Sequence, residues 1–174
     1  FTKVELELCA KIASAVEIVE CGPKEQLLKE GDTGDTMVLV FQGQVEVSKD
    51  MMVKTPSGFA TSRKPIIRLE TTDPKPASKP ITESTVFVVE APAFGIGEFS
   101  LVLDDAIRTA HVHSTTPLKY GVLSLDDFTN IVKNNPEIGG AVYFEVAKSA
   151  VNNLATASGD ISNLTQAFFF ALTR

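Results

Sequence analysis

Residues 95–110 read Gly95-Ile96-Gly97-Glu98-Phe99-Ser100-Leu101-Val102-Leu103-Asp104-Asp105-Ala106-Ile107-Arg108-Thr109-Ala110, and the rest of the chain is best read outward from them. Gly95 and Gly97 follow a predicted strand and precede residues 98–102, which are enough for a single helical turn. A glycine-rich backbone entering a helix leaves N–H groups unpaired, and these suit an anion. Arg108 follows within reach, with a planar fork that can pair two phosphate oxygens, and Thr109 adds a hydroxyl beside it. Glu98, when ionised, only accepts hydrogen bonds and so fits a sugar hydroxyl. An anion site with a carboxylate close by describes a ribose phosphate. Asp104-Asp105 reads as a polar turn between the helical turn and the next strand.

Upstream, an amphipathic helix is expected within residues 4–19, ending near Ala15, with Leu8, Ile12 and Val16 four apart among the apolar positions that begin at Val4 and Leu6. Cys21-Gly22-Pro23 breaks the chain. Residues 26–29 form a strand candidate, and Gly31-Asp32-Thr33-Gly34-Asp35 a turn cluster. The apolar run 36–41, the tight turn Gln42-Gly43 and the alternating run 44–48 predict a hairpin. Residues 49–85 hold Pro56, Pro65, Pro74, Pro76 and Pro80 among many Ser, Thr and Lys residues. They read as a long excursion carrying one short strand at 66–69. Further strands are expected at 86–90, 110–114 and 118–124. The sum is a mainly β fold with flanking helices: an eight-stranded antiparallel β-roll, jelly-roll-like.

The last third is helical. Ser124 can cap a helix over 125–133, helped by Asp126 and Asp127 in its first turn, and Pro136 suits the first position of another. Beyond it Ala147, Ala150, Leu154, Ala157, Ile161, Leu164, Phe168 and Ala171 recur at steps of three and four, the a/d seam of a coiled coil. Gly159 weakens this seam by about 1 kcal/mol relative to alanine. Ser158-Gly159-Asp160 read as a turn would divide the segment into two helices, but the unbroken seam favours one long dimerising helix. Phe168 fits the seam, whereas Phe169 and Phe170 point to a dimer or downstream-domain contact.

Gly97-Glu98-Phe99-Ser100-Leu101 followed by Arg108-Thr109-Ala110 resembles the phosphate-binding cassette of the cyclic-nucleotide-binding domain family. The resemblance extends upstream through Glu30-Gly31-Asp32, Gly34-Asp35 and Gly43, and downstream through Leu123-Ser124, Phe128 and Asn135-Pro136-Glu137. It covers residues 4–154. It implies a ligand, cAMP or cGMP, and no cofactor. Glu98 would take the ribose 2′-hydroxyl and Arg108 the cyclic phosphate. The backbone of Gly97 and its neighbours Ile96, Phe99, Ser100 and Ala110 would line the phosphate side. Thr109 would touch the phosphate or, with cGMP, the guanine edge, and Asn153 on the long helix would meet the base, with Asn152 beside it. The sequence departs from the family at Ile96, where an aromatic usually precedes the Gly-Glu pair and here Phe94 stands two residues earlier. The excursion before the cassette is also longer.

Composition narrows the alternatives. Of 174 residues 44% are hydrophobic and 22% charged, the balance of a globular protein, and the net charge of −6 opposes nucleic acid and anionic membranes. No apolar run is long enough to span a bilayer. Cys9 and Cys21 read as reduced, partly buried thiols of a cytoplasmic protein. The chain opens on Phe1, as a fragment or a processed chain does. His111-Val112-His113 could suggest a cupin-like metal enzyme, because residues two apart on a strand share a face. A metal site would need a nearby carboxylate ligand and usually a third histidine, whereas Ser114-Thr115-Thr116-Pro117 follow and the chain has only these two histidines, so the pair reads as a solvated strand face. With no nucleophile elbow and no Walker-type Gly-Lys-Ser/Thr, an enzyme is not expected. Residues 1–140 are expected to form the roll with its N-terminal helix. Residues 141–174 would be the long helix, serving dimerisation or linking to an output domain outside the chain. A non-binding fold kept for dimerisation is the alternative.

Overall fold

Nine strands, most of them short runs rich in Val, Leu and Ile, form among the residues that the computed structural model describes, 6–73 and 86–172. They are β1 (Glu17–Cys21), β2 (Gln26–Leu28), β3 (Thr36–Gln42), β4 (Gln44–Thr55), β5 (Gly58–Thr71), β6 (Phe87–Ala91), β7 (Phe94–Ile96), β8 (His111–Ser114) and β9 (Leu118–Ser124). Two sheets result, one of order β1-β9-β3-β7 and one of order β2-β8-β4-β5-β6. The expected mainly β roll is present, with nine strands in place of eight. One pairing departs from antiparallel: β6 lies parallel to β5, from Ile67 opposite Phe87 to Thr71 opposite Ala91. Val4, Pro74, Pro76 and Pro80 lie outside the described residues.

The expected hairpin over 36–48 does not form. β3 pairs with β7 and β9, β4 pairs with β5 and β8, and Gly43 carries the chain from one sheet to the other. Its φ of +115° and its surroundings both demand glycine: a Cβ there would lie 2.4 Å from Leu118 Cδ2 and 2.6 Å from the Pro117 carbonyl. The corner is fixed by hydrogen bonds. Gly43 N–H donates to Thr71 Oγ1 at 2.9 Å, the buried Gln44 donates its N–H to Thr116 Oγ1 at 2.9 Å, and Gln44 Nε2 donates to Glu70 at 3.1 Å.

The excursion also needs correcting. Residues 49–71 are strand almost throughout: β4 and β5 pair from Gln44 opposite Glu70 to Thr55 opposite Gly58, around Pro56-Ser57. Pro65 is accommodated opposite Ser48, where the register shifts, so its missing N–H interrupts no regular ladder.

Among the described residues three α-helices flank the roll: α1 (Leu6–Ser14), α2 (Leu125–Asn134) and α3 (Pro136–Leu172). The Ser124 cap is formed, its Oγ accepting from Asp127 N–H at 3.0 Å. α3 starts at Pro136, as expected, and runs unbroken through Gly159. Among the described residues no helix is long and apolar enough to cross a membrane. Two cores result. Val38, Val40, Val45, Ile96, Val112 and Leu118 fill the roll, while Ile12, Met37, Leu101, Leu123, Phe128, Ile138 and Val142 join the helices to it. Phe128, fully buried and edge-on to Tyr143 with centroids 5.7 Å apart, is the centre of the second core. Phe128→Ala should therefore cost about 3–5 kcal/mol, read as a lowered midpoint in urea unfolding.

Candidate functional site

The segment after β7 folds as read: Gly97, at φ +78° and ψ 23°, precedes a single 3-10 turn, Glu98–Leu101. The left-handed conformation favours glycine, and it also makes room. A Cβ on Gly97 would lie 2.4 Å from Arg108 Nη1, and one on Gly34 2.0 Å from Arg108 Nε. The guanidinium thus lies between two glycines. Asp104-Asp105 form an exposed turn, Asp105 at φ 54°, a conformation aspartate tolerates. The segment carrying Arg108 is then tied to the turn before β3. Arg108 N–H donates to Asp32 O at 2.8 Å, Gly31 N–H to Arg108 O at 2.9 Å, and Gly34 N–H to Ala106 O at 2.9 Å.

Arg108 is only 8% exposed. Its Nη2 donates to the Thr36 carbonyl at 2.7 Å and to Thr36 Oγ1 at 3.0 Å. Nη1 donates to Ser100 Oγ at 2.7 Å and, at 3.5 Å, faces the Gly97 carbonyl. Burial lowers its proton affinity from the ordinary value, and the nearby Asp35 carboxylate opposes that shift; an arginine so placed remains cationic. The arginine therefore pins β3 to the 3-10 turn and does not form a pair with Glu98.

A cavity of about 210 Å³ opens beside it. Ile96, Gly97, Glu98, Phe99, Ser100, Arg108, Thr109, Ala110 and Asn153 all line it, so every residue singled out for a ligand borders one space. Thr109 and Asn153 are exposed at its rim, Glu98 is half-buried, and Ser100 is buried. Asn152 is not among the lining residues. The apolar wall of Leu28, Val47 and Val112 was not foreseen. Val47 had a signal, since it lies on the inward side of the alternating run 44–48. Thr36 and Gly34 were read only as strand start and turn; nothing local to them announced an arginine 72 residues away in sequence.

The histidines differ from expectation as well. His111 is buried, at 3% exposure: its Nδ1 accepts from Glu30 N–H at 3.2 Å, and Nε2 lies 3.2 Å from Asp50 Oδ2. That bond to His111 holds the Asp50 carboxyl below its ordinary value. His113 instead faces Glu46 Oε1 at 3.5 Å. This strand face is an anchoring surface for the β4–β5 hairpin and not a solvated one. Cys9 and Cys21 are half-buried, and burial pushes the Cys21 thiol above its ordinary value.

Because Gly34 and Gly97 form the walls of the arginine niche, Gly34→Ala should expel the guanidinium and break its bonds to Thr36 and Ser100. Hydrogen bonds to a charged group contribute about 1.5–3 kcal/mol each. The expected loss of stability, measured by urea unfolding, therefore exceeds the few tenths typical of a surface change.

No protein-family model matches the sequence, and no significant match is found among curated proteins. Solved structures do match. The N-terminal domain of a transcriptional regulator from Streptomyces coelicolor is 22% identical with a TM-score of 0.63, over 88% of this chain and 87% of that one. The catabolite activator protein of Thermus thermophilus is 16% identical with a TM-score of 0.65, over 95% of this chain and 62% of that one. A cyclic nucleotide-binding domain from Methylobacillus flagellatus is 23% identical with a TM-score of 0.55, over 83% of this chain and 65% of that one. This chain thus spans less than two thirds of the length of the last two. Similar to these structures over 83–95% of its length, the chain has the fold of the cyclic nucleotide-binding domains.

Proposed function

We propose that this chain is a cytoplasmic sensor that binds cAMP or cGMP in the cavity beside Arg108 and performs no chemistry on it. The observation that carries this reading is the convergence of Glu98, Arg108 and Thr109 from the 95–110 segment and Asn153 from α3 on one space. Arg108 supplies the fixed cation for the cyclic phosphate, with N–H groups of the Gly97–Phe99 backbone beside it. Glu98 accepts from the ribose 2′-hydroxyl. Leu28, Val47 and Val112 offer an apolar wall to sugar and base, and Asn153 brings α3 against the base. A ligand acts only by favouring one conformation over another. Here it would draw the cassette and α3 together and so bias the position of a helix that leads to an output domain.

A homodimer through α3 belongs to the same reading. Leu154, Ile161, Leu164 and Phe168 are each more than 60% exposed along one seam, more apolar surface than a lone helix normally carries. Residues 1–140 would then be the sensing unit and 141–174 the coupling helix.

A second reading draws on the same arginine. Its terminal nitrogens already have protein acceptors, as they would in a fold that has lost its ligand and persists as a dimerisation module.

Thermal unfolding with cAMP, with cGMP and with neither separates the two. Ligand at a hundred times its dissociation constant adds about 2.7 kcal/mol, or roughly 5–10 °C for a domain of this size. The shift should be present with at least one nucleotide and absent in Arg108→Ala. Protein confirmed nucleotide-free that shifts with neither supports the non-binding module. For the dimer, sedimentation equilibrium should give twice the chain mass for the wild type and the chain mass for Ile161→Glu/Leu164→Glu, with the unfolding of the roll little changed. A monomeric wild type would refute it.

A further inference from the structure

The outer half of the β4–β5 hairpin carries a surface that nucleotide binding does not use. Beyond Ser48 and Ile67 the two strands pair, among the described residues, only with each other. Their last anchor is at Asp50 and Arg63, which contact one another and the buried His111. Residues directly opposite across an antiparallel pair share a face. Lys54 stands opposite Phe59 and Met52 opposite Thr61, so Met52, Lys54 and Phe59 form one face of the tip, with Met52 78% and Phe59 74% exposed. Met51, opposite Ser62, turns to the other face and is 44% exposed. Large apolar side chains thus meet water on both sides of a two-stranded ribbon, which has no core of its own to cover them.

Charge is concentrated here too. Residues 49–64 hold Lys49, Lys54, Arg63 and Lys64 against Asp50, a net charge of +3 within a chain of −6. Asp50 is taken up by Arg63 and His111, and among the described residues no ion pair joins Lys49, Lys54 or Lys64. Lys49 and Lys64 stand directly opposite each other, a like-charge pair that costs stability and that an anionic group between them would relieve. The chain as a whole opposes an anionic surface, but the tip would meet such a surface first. From the anchor at Asp50 to Thr55 the strand extends about 16 Å, twice the Debye length of about 8 Å at physiological ionic strength, so the acidic remainder is largely screened from what the tip touches. The groups follow the order of an interfacial anchor. Met52 and Phe59 lie at the apex, and Lys54 among them has a stem long enough to snorkel. Lys49 and Lys64 come to headgroup level when the apex is sunk by about 5–10 Å. A protein partner would cover one face of the ribbon, whereas a lipid interface surrounds it and takes up Met51 as well.

We propose that the β4–β5 tip is a membrane contact: Met51, Met52 and Phe59 enter the interface of an anionic bilayer while Lys49, Lys54 and Lys64 pair with its headgroups. The inference stands apart from the nucleotide reading and does not depend on it.

The test is sedimentation of the full chain with vesicles of phosphatidylcholine alone and of phosphatidylcholine with phosphatidylserine. The wild type should sediment with the anionic vesicles and stay in solution with the neutral ones. Met52→Ser/Phe59→Ser should weaken lipid binding at least tenfold, as expected for withdrawing two large apolar side chains. Lys54→Gln/Lys64→Gln should weaken it by about tenfold or more. Urea unfolding of both variants should match the wild type, because the altered side chains are exposed. The chain has no tryptophan, so Phe59→Trp supplies a single reporter whose emission should move to shorter wavelength on anionic vesicles. Sedimentation that the apolar variant retains, or an emission that does not move, overturns the inference. A wild type that stays in solution with the anionic vesicles overturns it as well, and the patch is then a surface for an acidic protein.

Discussion

A single buried guanidinium holds this site together. In a chain of net charge −6, Arg108 is taken out of water and given back its hydrogen bonds by Thr36 and Ser100. Those two residues belong to different elements, the start of β3 and the 3-10 turn. The turn containing Gly31 and Gly34 is bound to the same segment through backbone hydrogen bonds. A lysine could not substitute, because a point charge cannot reach acceptors on two elements at once with a fixed planar fork. The glycines follow from the arginine: Gly34 and Gly97 leave the space that the fork fills.

What was legible in the sequence was local. Ser124 and Asp127 announce a helix start through a bond three residues long, and Gly97 announces a turn through its own φ. The glycine-to-arginine stretch 95–110 keeps its meaning because its parts meet within one short excursion of chain. What was not legible depended on partners far away. Gly43 looks like a hairpin turn until Pro117 and Leu118, some 75 residues on in sequence, are seen pressing on it. The β4–β5 hairpin lacked the expected alternation because its outer half projects into solvent, where Met52 and Phe59 are as exposed as the lysines and serines around them. With water on both faces, no period-two signal is selected. Burial of His111 likewise depends on Glu30 and Asp50 arriving from two other segments.

The two cores divide the labour. One fills the roll and gives the cassette a stable floor, and the other binds α1, α2 and the first turns of α3 into a helical layer over β3 and β9. Gly139 shows how tightly that layer is set, since a Cβ there would lie 2.6 Å from Val132 Cγ1. Asn135 caps α2 by donating its N–H to Ile131 and Val132, and its carbonyl accepts from Ile138 N–H at the start of α3. One residue therefore ends one helix and begins the next.

Past Val151 every described side chain of α3 is exposed, and the helix continues to Leu172 with no second break. Mechanically it is a lever arm with its fulcrum at Asn135. At 1.5 Å per residue its 37 residues span about 55 Å. A tilt of about 10° at the fulcrum would sweep the far end through about 10 Å over that length, while the first turn moved by less than an atomic diameter. The first turns are packed into the core through Ile138 and Val142 and the residues past Val151 stand clear of it, so a displacement too small to disturb that packing becomes a large change of position at Leu172.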